Sequence, residues 1–226
     1  MKPIKIFKCI IRRILALFSI KVVKLTPMEI VLFKLDRKGV DIKNLNALEV
    51  FGYIGTWHTL DYARMVKSLD VWEIDPECER FLRSNLPMAN IKITDSFEEI
   101  KRTDRKYSLI VVDNPMAIYG KNSEYCEHFE LFPNIFRIMQ DECTLILSVI
   151  PKVEEKDREK YPYLFNKEHL KHREQFYSTN HPQNLTFQEM SNTYLKYASE
   201  SGFKIEWFFT QKRSFIYYLV IKLKKL

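Results

Sequence analysis

Acidic side chains stand at or near the ends of three successive apolar runs of this 226-residue chain. Glu49 falls in ALEVF at 47–51, Glu73 in LDVWEI at 69–74, and Asp95 in Thr94-Asp95-Ser96 just after the run at 91–93. A carboxylate at a strand end can accept two hydrogen bonds from neighbouring hydroxyls, each charge-assisted and worth about 1.5–3 kcal/mol. Between the first two acids lies Gly52-Tyr53-Ile54-Gly55-Thr56. Such a glycine turn lets backbone N–H groups approach a ligand closely. A fourth run, YSLIVV at 107–112, ends in Asp113-Asn114-Pro115-Met116, with Tyr119 close behind. These polar side chains can accept or orient N–H and O–H groups.

Proton transfer could fall to Asp113, His128 or the histidines at 169, 172 and 181. His58, beside the glycine turn, reads as structural. His169 and His172 would share a helical face, but no third ligand has matching spacing, so no metal site is expected. The aromatics Tyr161, Tyr163, Phe165, Phe176 and Tyr177 can line a pocket or simply dock their own segment.

The elements that must position these residues follow from the pattern. Thr26, Pro27 and Glu29 form a strong helix start, and that helix should stop at Gly39. Apolar runs at 47–51, 69–74, 91–93, 107–112, 144–150, 203–209 and 214–223 read as strands. Helical stretches at 57–67, 76–86, 96–101, 124–139 and 187–201 separate most of them. Asp75-Pro76, Ser96 with Glu99, and Thr186 with Glu189 supply helix starts. Several runs are apolar throughout, as strands buried on both faces are. The last two are joined by a short QKR turn, so they must be antiparallel. The expected fold is α/β: a doubly wound, mostly parallel seven-stranded sheet with a C-terminal antiparallel hairpin and helices on both faces. An N-terminal amphipathic helix precedes it. Residues 1–45 would form a basic helical extension and 46–226 the domain. Residues 151–185 interrupt the rhythm as an insertion or lid. In a doubly wound sheet the three acids converge at the carboxyl edge.

This order of elements and these motifs resemble the class I S-adenosylmethionine-dependent methyltransferases over residues 46–224. Leu48-Glu49-Val50-Phe51-Gly52-Tyr53-Ile54-Gly55-Thr56 is similar to that family's D-x-F-x-G-x-G pattern, with Tyr53 where many members carry glycine. The resemblance implies S-adenosyl-L-methionine as cofactor. Glu49 would meet its ammonium, and the turn Gly52, Tyr53, Gly55 and Thr56 would pass its methionine moiety. Glu73 and Ile74 would hold the ribose end, and Asp95 with Ser96 the adenine. Asp113-Asn114-Pro115-Met116 resembles the [DN]PP[YFW] motif of amino-methyltransferases, and Tyr119 can stand in for its aromatic residue. Asp113, Asn114 and Tyr119 are therefore the expected catalytic residues. The implied reaction is methyl transfer to an oxygen or nitrogen of a small-molecule, lipid-linked or glycan acceptor. Base methylation of RNA or DNA is the alternative, and a non-methylating or non-catalytic relative the third.

Charge bears on the partners. The net charge is +7, and Lys2, Lys5, Lys8, Arg12, Arg13, Lys21 and Lys24 carry all of it; the other 29 basic residues balance 29 acidic ones. A body this neutral argues against a broad nucleic-acid footprint. Residues 1–25 read as a two-faced basic helix suited to an anionic membrane surface, or packed on the domain. Arg12 and Arg13 exclude a spanning helix. Cys9, Cys78, Cys126 and Cys143 include no CxxC pair, which points to a cytoplasmic protein, possible attachment being to the inner face of a membrane.

Overall fold

The computed structural model describes residues 25–114, 118–152 and 154–226. The basic helix expected over 1–25 lies outside them except for Leu25, as do Pro115 and Met116 of the DNPM motif. Thr26 opens helix α1 (Pro27–Arg37). The Glu29 amide donates to Thr26 Oγ1 at 3.0 Å, and the Thr26 amide donates to the Glu29 carboxylate at 2.6 Å. Met28, Val31, Leu32 and Leu35 recur at helical spacing and are buried. They share an apolar layer with Ala47, Leu69 and Val71, so α1 belongs to the core of the domain.

Strands and helices then alternate. β1 (Asn46–Glu49) leads to the short α2 (Thr59–Ala63), β2 (Ser68–Glu73) to α3 (Glu79–Asn85), and β3 (Asn90–Ile93) to α4 (Ser96–Arg102). β4 (Tyr107–Val112) is followed by the small hairpin β5 (Ile118–Tyr119) and β6 (Tyr125–Cys126), then by β7 (Met139–Val149). Helices α5 (Glu155–Arg158), α6 (Lys167–Tyr177) and α7 (Phe187–Glu200) precede β8 (Phe203–Lys212) and β9 (Tyr217–Lys225).

Seven strands form one sheet in the order β3-β2-β1-β4-β7-β9-β8. The first five in that order are parallel, and β9 runs antiparallel to both β7 and β8. This is the doubly wound sheet with a closing hairpin that the alternation predicts. Alternate residues feed the two faces: Leu48, Ile110 and Val112 enter one apolar layer, Ala47, Leu109 and Val111 the other. The chain builds outward from β1 through β2 to β3, then returns to add β4 on the other side. That reversal opens a crevice at the carboxyl ends of the strands.

Three local expectations are corrected. In place of a helix over 124–139, the structure has β6 and two 3-10 turns, Phe129–Leu131 and Asn134–Ile138. Glu127 takes a left-handed φ of 52°. Pro133 has no N–H to donate and disfavours helical backbone in the residue before it. The helix expected over 57–67 shrinks to α2. The cap of α4 is Asp95 rather than Ser96: the Phe97 amide donates to Asp95 Oδ1 at 2.8 Å.

The insertion is a helical lobe fastened from within. Arg173 on α6 donates to Glu127 Oε1 at 2.6 Å and to the carbonyls of Ile150 and Pro182. His169 Nε2 lies 2.9 Å from the same carboxylate. Burial opposes charge on Glu127, but Arg173 and His169 hold its carboxyl down at about 2. The buried ion pair therefore ties α6 of the insertion to the segment that follows β6.

Candidate active site

A cavity of about 740 Å3 opens above the carboxyl ends of β1, β2, β3 and β4. Its floor is the turn after β1. The Gly52 amide donates to Trp72 O at 2.8 Å, and a Cβ at Gly52 would lie 2.3 Å from Val71 Cγ1. This glycine therefore serves close packing on β2. Tyr53 has φ 46° and Gly55 φ 70°. Tyr53 thus keeps the left-handed backbone that a glycine would adopt freely, at a cost of about 1–2 kcal/mol.

One end of the cavity is built by β2 and β3. Glu73 accepts the Tyr53 amide on Oε2 at 2.5 Å and the Asp75 amide on Oε1 at 2.9 Å. Ile74 follows with its side chain in the open, 65% exposed. Asp95 uses Oδ1 to cap α4 and lines the cavity beside Ser96, whose hydroxyl donates to Val50 O at 2.6 Å. Phe97 and Tyr125 stack with centroids 4.1 Å apart and planes 8° from parallel, and Tyr119 leans on both.

A charged chain forms the other end. Glu49 does not line the cavity. It is fully buried, and Thr59, Tyr62 and His58 all bond to its Oε2, at 3.1, 2.5 and 2.9 Å. Glu49, expected to meet a ligand's ammonium, is thus enclosed by His58 and by Thr59 and Tyr62 of α2, while its Oε1 has no hydrogen-bond partner among the described residues. His58 turns its other nitrogen to Asp113, 2.7 Å away. Asp113 accepts Ser148 Oγ at 2.6 Å and the Arg213 guanidinium. Burial alone would discharge His58, but Glu49 and Asp113 outweigh it and raise its pKa to about 10. Burial likewise opposes charge on Asp113, yet His58, Arg213 and Ser148 hold it down at about 2. Two anions and two cations balance.

The remaining expected base candidates are engaged elsewhere. His128 Nδ1 is 3.1 Å from Asn114 Oδ1, and its Nε2 2.6 Å from the Tyr194 hydroxyl. Burial pushes His128 down to about 4, so it is neutral there. His169 pairs with Glu127, His172 with Glu130 at 3.8 Å, and His181 with Glu189 at 2.8 Å; none lines the cavity. Asn114 and Tyr119 do line it, and the Tyr119 hydroxyl donates to Glu127 O at 2.5 Å.

Gly52, Tyr53, Gly55, Thr56, Glu73, Ile74, Asp95, Ser96, Asp113, Asn114 and Tyr119 thus meet at one cavity. Among the expected aromatics of the insertion, Tyr163 reaches it. Tyr161 stacks on Phe215, while Phe176 and Tyr177 pack against Phe129. Sequence reasoning missed Trp57, Phe97, Tyr125 and Arg213. Phe97 had a signal, following Asp95-Ser96 directly. Arg213 had none, lying a hundred residues from its partner Asp113.

No protein-family model matches the sequence, and no curated protein does. Solved structures match its shape. Trm1 of Pyrococcus horikoshii, in complex with S-adenosyl-L-methionine, superposes with a TM-score of 0.60 at 11% identity, over 90% of this chain and 57% of that one. Magnesium protoporphyrin IX methyltransferase of Synechocystis PCC 6803, with bound SAH, gives 0.54 at 15% identity, over 88% and 82%. TYW2 of M. jannaschii, in complex with AdoMet, gives 0.51 at 13%, over 91% and 80%. The fold is that of the class I S-adenosylmethionine-dependent methyltransferases. On a class I methyltransferase fold the switch point lies between β1 and β4, and this cavity sits above it.

Proposed function

We propose that the protein is an S-adenosylmethionine-dependent methyltransferase acting on an oxygen or nitrogen of a small-molecule, lipid-linked or glycan acceptor. The observation that carries the reading is the convergence of Glu73, Ile74 and Asp95 on one cavity beside a left-handed turn. The donor set fits an adenosine. Each Glu73 oxygen holds one backbone N–H and keeps a lone pair for a ribose hydroxyl. The open side chain of Ile74 offers an apolar surface to a base, and Asp95 keeps its second oxygen for an amino group. A volume of about 740 Å3 accommodates a ligand of that size.

S-adenosylmethionine, when bound, supplies an electrophilic sulfonium methyl group. The chain's own part is positioning. Asp113 and His58 are both charged and paired, so neither takes up a proton near neutral pH. Alignment of the acceptor by Asn114, Tyr119 and the Phe97–Tyr125 stack then carries the acceleration. This favours an acceptor that is already nucleophilic, such as a neutral amine or an acidic hydroxyl.

Calorimetry with S-adenosylhomocysteine tests the reading: one-site saturable binding supports it, and no detectable heat at millimolar ligand overturns it. A nucleic-acid acceptor would show itself by retention on RNA that falls steeply with salt. Residues 1–25 are proposed to attach the protein reversibly to an anionic membrane. Flotation of full-length protein with anionic vesicles, lost on truncation to residue 26, tests that attachment. Among the described residues, no helix is long and apolar enough to cross a membrane.

A further inference from the structure

Arg213 is held at the cavity by features that leave half of its guanidinium unused. It lies in the β8–β9 turn, and one terminal nitrogen is bonded to Asp113. The group lies over the ring of Trp57 at 5.4 Å and over Tyr218 at 5.6 Å. Its Nε and second terminal nitrogen form no hydrogen bond among the described residues, and both the arginine and Trp57 line the cavity. Trp57 itself is 62% exposed, its ring lying beneath the guanidinium. A guanidinium fastened at one edge, with two N–H groups free at the other, matches the two oxygens of a planar oxyanion.

We propose that Arg213, supported by Trp57 and Asp113, forms an oxyanion subsite of this cavity, taking a carboxylate or phosphate group of the bound ligands. The inference rests on the methyltransferase reading for which ligand brings that group. Two sources exist, the α-carboxylate of the cofactor and an anionic group on the acceptor. The first is the expected one. The loop from Tyr53 to His58 joins both ends of the cavity, since Tyr53 bonds Glu73 and His58 pairs with Asp113. Five residues span at most about 18 Å, which bounds the separation of the two ends. Glu73 and Arg213 line the same cavity, so the tail of an adenosine held on Glu73 would extend towards the Arg213 end. Glu49, His58, Asp113 and Arg213 already balance in charge, so a zwitterionic tail keeps the site neutral where a bare anion would not.

The test compares S-adenosylhomocysteine with 5′-methylthioadenosine, which shares the adenosine and thioether but lacks the amino-acid tail. Wild-type protein should bind the first at least about tenfold tighter, and Arg213→Gln should erase that preference while leaving methylthioadenosine within about twofold. Arg213→Lys should restore only part of it. The wild-type comparison needs no variant and stands even where a substitution perturbs folding. If wild type holds both nucleosides equally, benzoate and phenyl phosphate are titrated into the S-adenosylhomocysteine complex. Binding of either that Arg213→Gln abolishes assigns the subsite to the acceptor. A nucleoside preference unchanged by Arg213→Gln, or equal nucleoside affinity with no arginine-dependent binding of either probe, overturns the subsite. If neither nucleoside binds, the methyltransferase reading fails, and arginine-dependent binding of the two probes to free protein alone decides the subsite.

Discussion

His58 and Asp113 meet at 2.7 Å beneath the cavity, and the opposite nitrogen of the same ring lies 2.9 Å from Glu49. One imidazolium thus joins acids from the ends of neighbouring strands β1 and β4 and fixes the loop that follows the glycine turn. Removing one partner of a buried charge pair leaves the other uncompensated, at a cost of about 3–5 kcal/mol. His58→Ala should therefore lower unfolding free energy by roughly that amount, measured by urea denaturation at pH 6.

The same pair sets a pH dependence. The pKa of His58 is raised from 6.5 to about 10 on folding, so its contribution is fully present below pH 6.5 and lost as pH rises towards 10. Asp113 is lowered from 3.8 to about 2, so its contribution is present above pH 3.8 and lost as pH falls through about 2. Stability should decline between pH 6.5 and 10 in wild type, and the decline should flatten in His58→Ala. Denaturation midpoints across that range supply the check; an equal slope in both proteins would place the proton elsewhere.

Tyr53 tests whether the turn stores backbone strain. With φ at 46° and a side chain 57% exposed, it gains little packing in return for its conformation. Tyr53→Val should destabilise by about 1–2 kcal/mol, because a β-branched residue resists positive φ. Tyr53→Gly should be neutral within about 1 kcal/mol, since relief of strain offsets the entropy of glycine. Thermal melts of the two variants decide it.

Arg173 reports on how the insertion is held. Arg173→Ala strips Glu127 of its cation in a fully buried setting and should cost about 3–5 kcal/mol. Since the pair does not line the cavity, S-adenosylhomocysteine affinity of the folded variant should stay within about twofold. Melting temperature and calorimetry together distinguish this from a direct role in binding.

What the sequence disclosed, and what it hid, follows the range of the interactions. Glu73, Ile74 and Asp95 were legible because strand periodicity and a following cap locate a strand end within a few residues. The closing hairpin was legible from the brevity of its turn. The strand end that carries Glu49 is legible, but the ring of His58 and the hydroxyls of Thr59 and Tyr62 that fold back over it are not, because no strand or turn pattern records those contacts. Apolar spacing around Phe129 and Phe136 imitated a helix, while Pro133 and the left-handed Glu127 broke it. Arg213 and Ser148 reach Asp113 only through the tertiary arrangement, which no local pattern records.

Glu73→Ala carries the cofactor reading in a single substitution. Loss of two charge-assisted hydroxyl contacts, about 1.5–3 kcal/mol each, should weaken S-adenosylhomocysteine binding by about a hundredfold or more. The fold should survive, since Tyr53 and Asp75, whose amides it releases, are both exposed residues. Unchanged affinity would show that Glu73 touches no ligand hydroxyl.

The most direct measurement is a crystal structure of the protein grown with S-adenosylhomocysteine. The account predicts a nucleoside in the cavity above β1 and β4, its ribose hydroxyls on the Glu73 carboxylate, its adenine against Ile74 with the amino group towards Asp95, and its amino-acid tail towards Arg213. A nucleoside bound elsewhere on the molecule, or bound in this cavity with Glu73 out of hydrogen-bonding reach of the ribose, would contradict it.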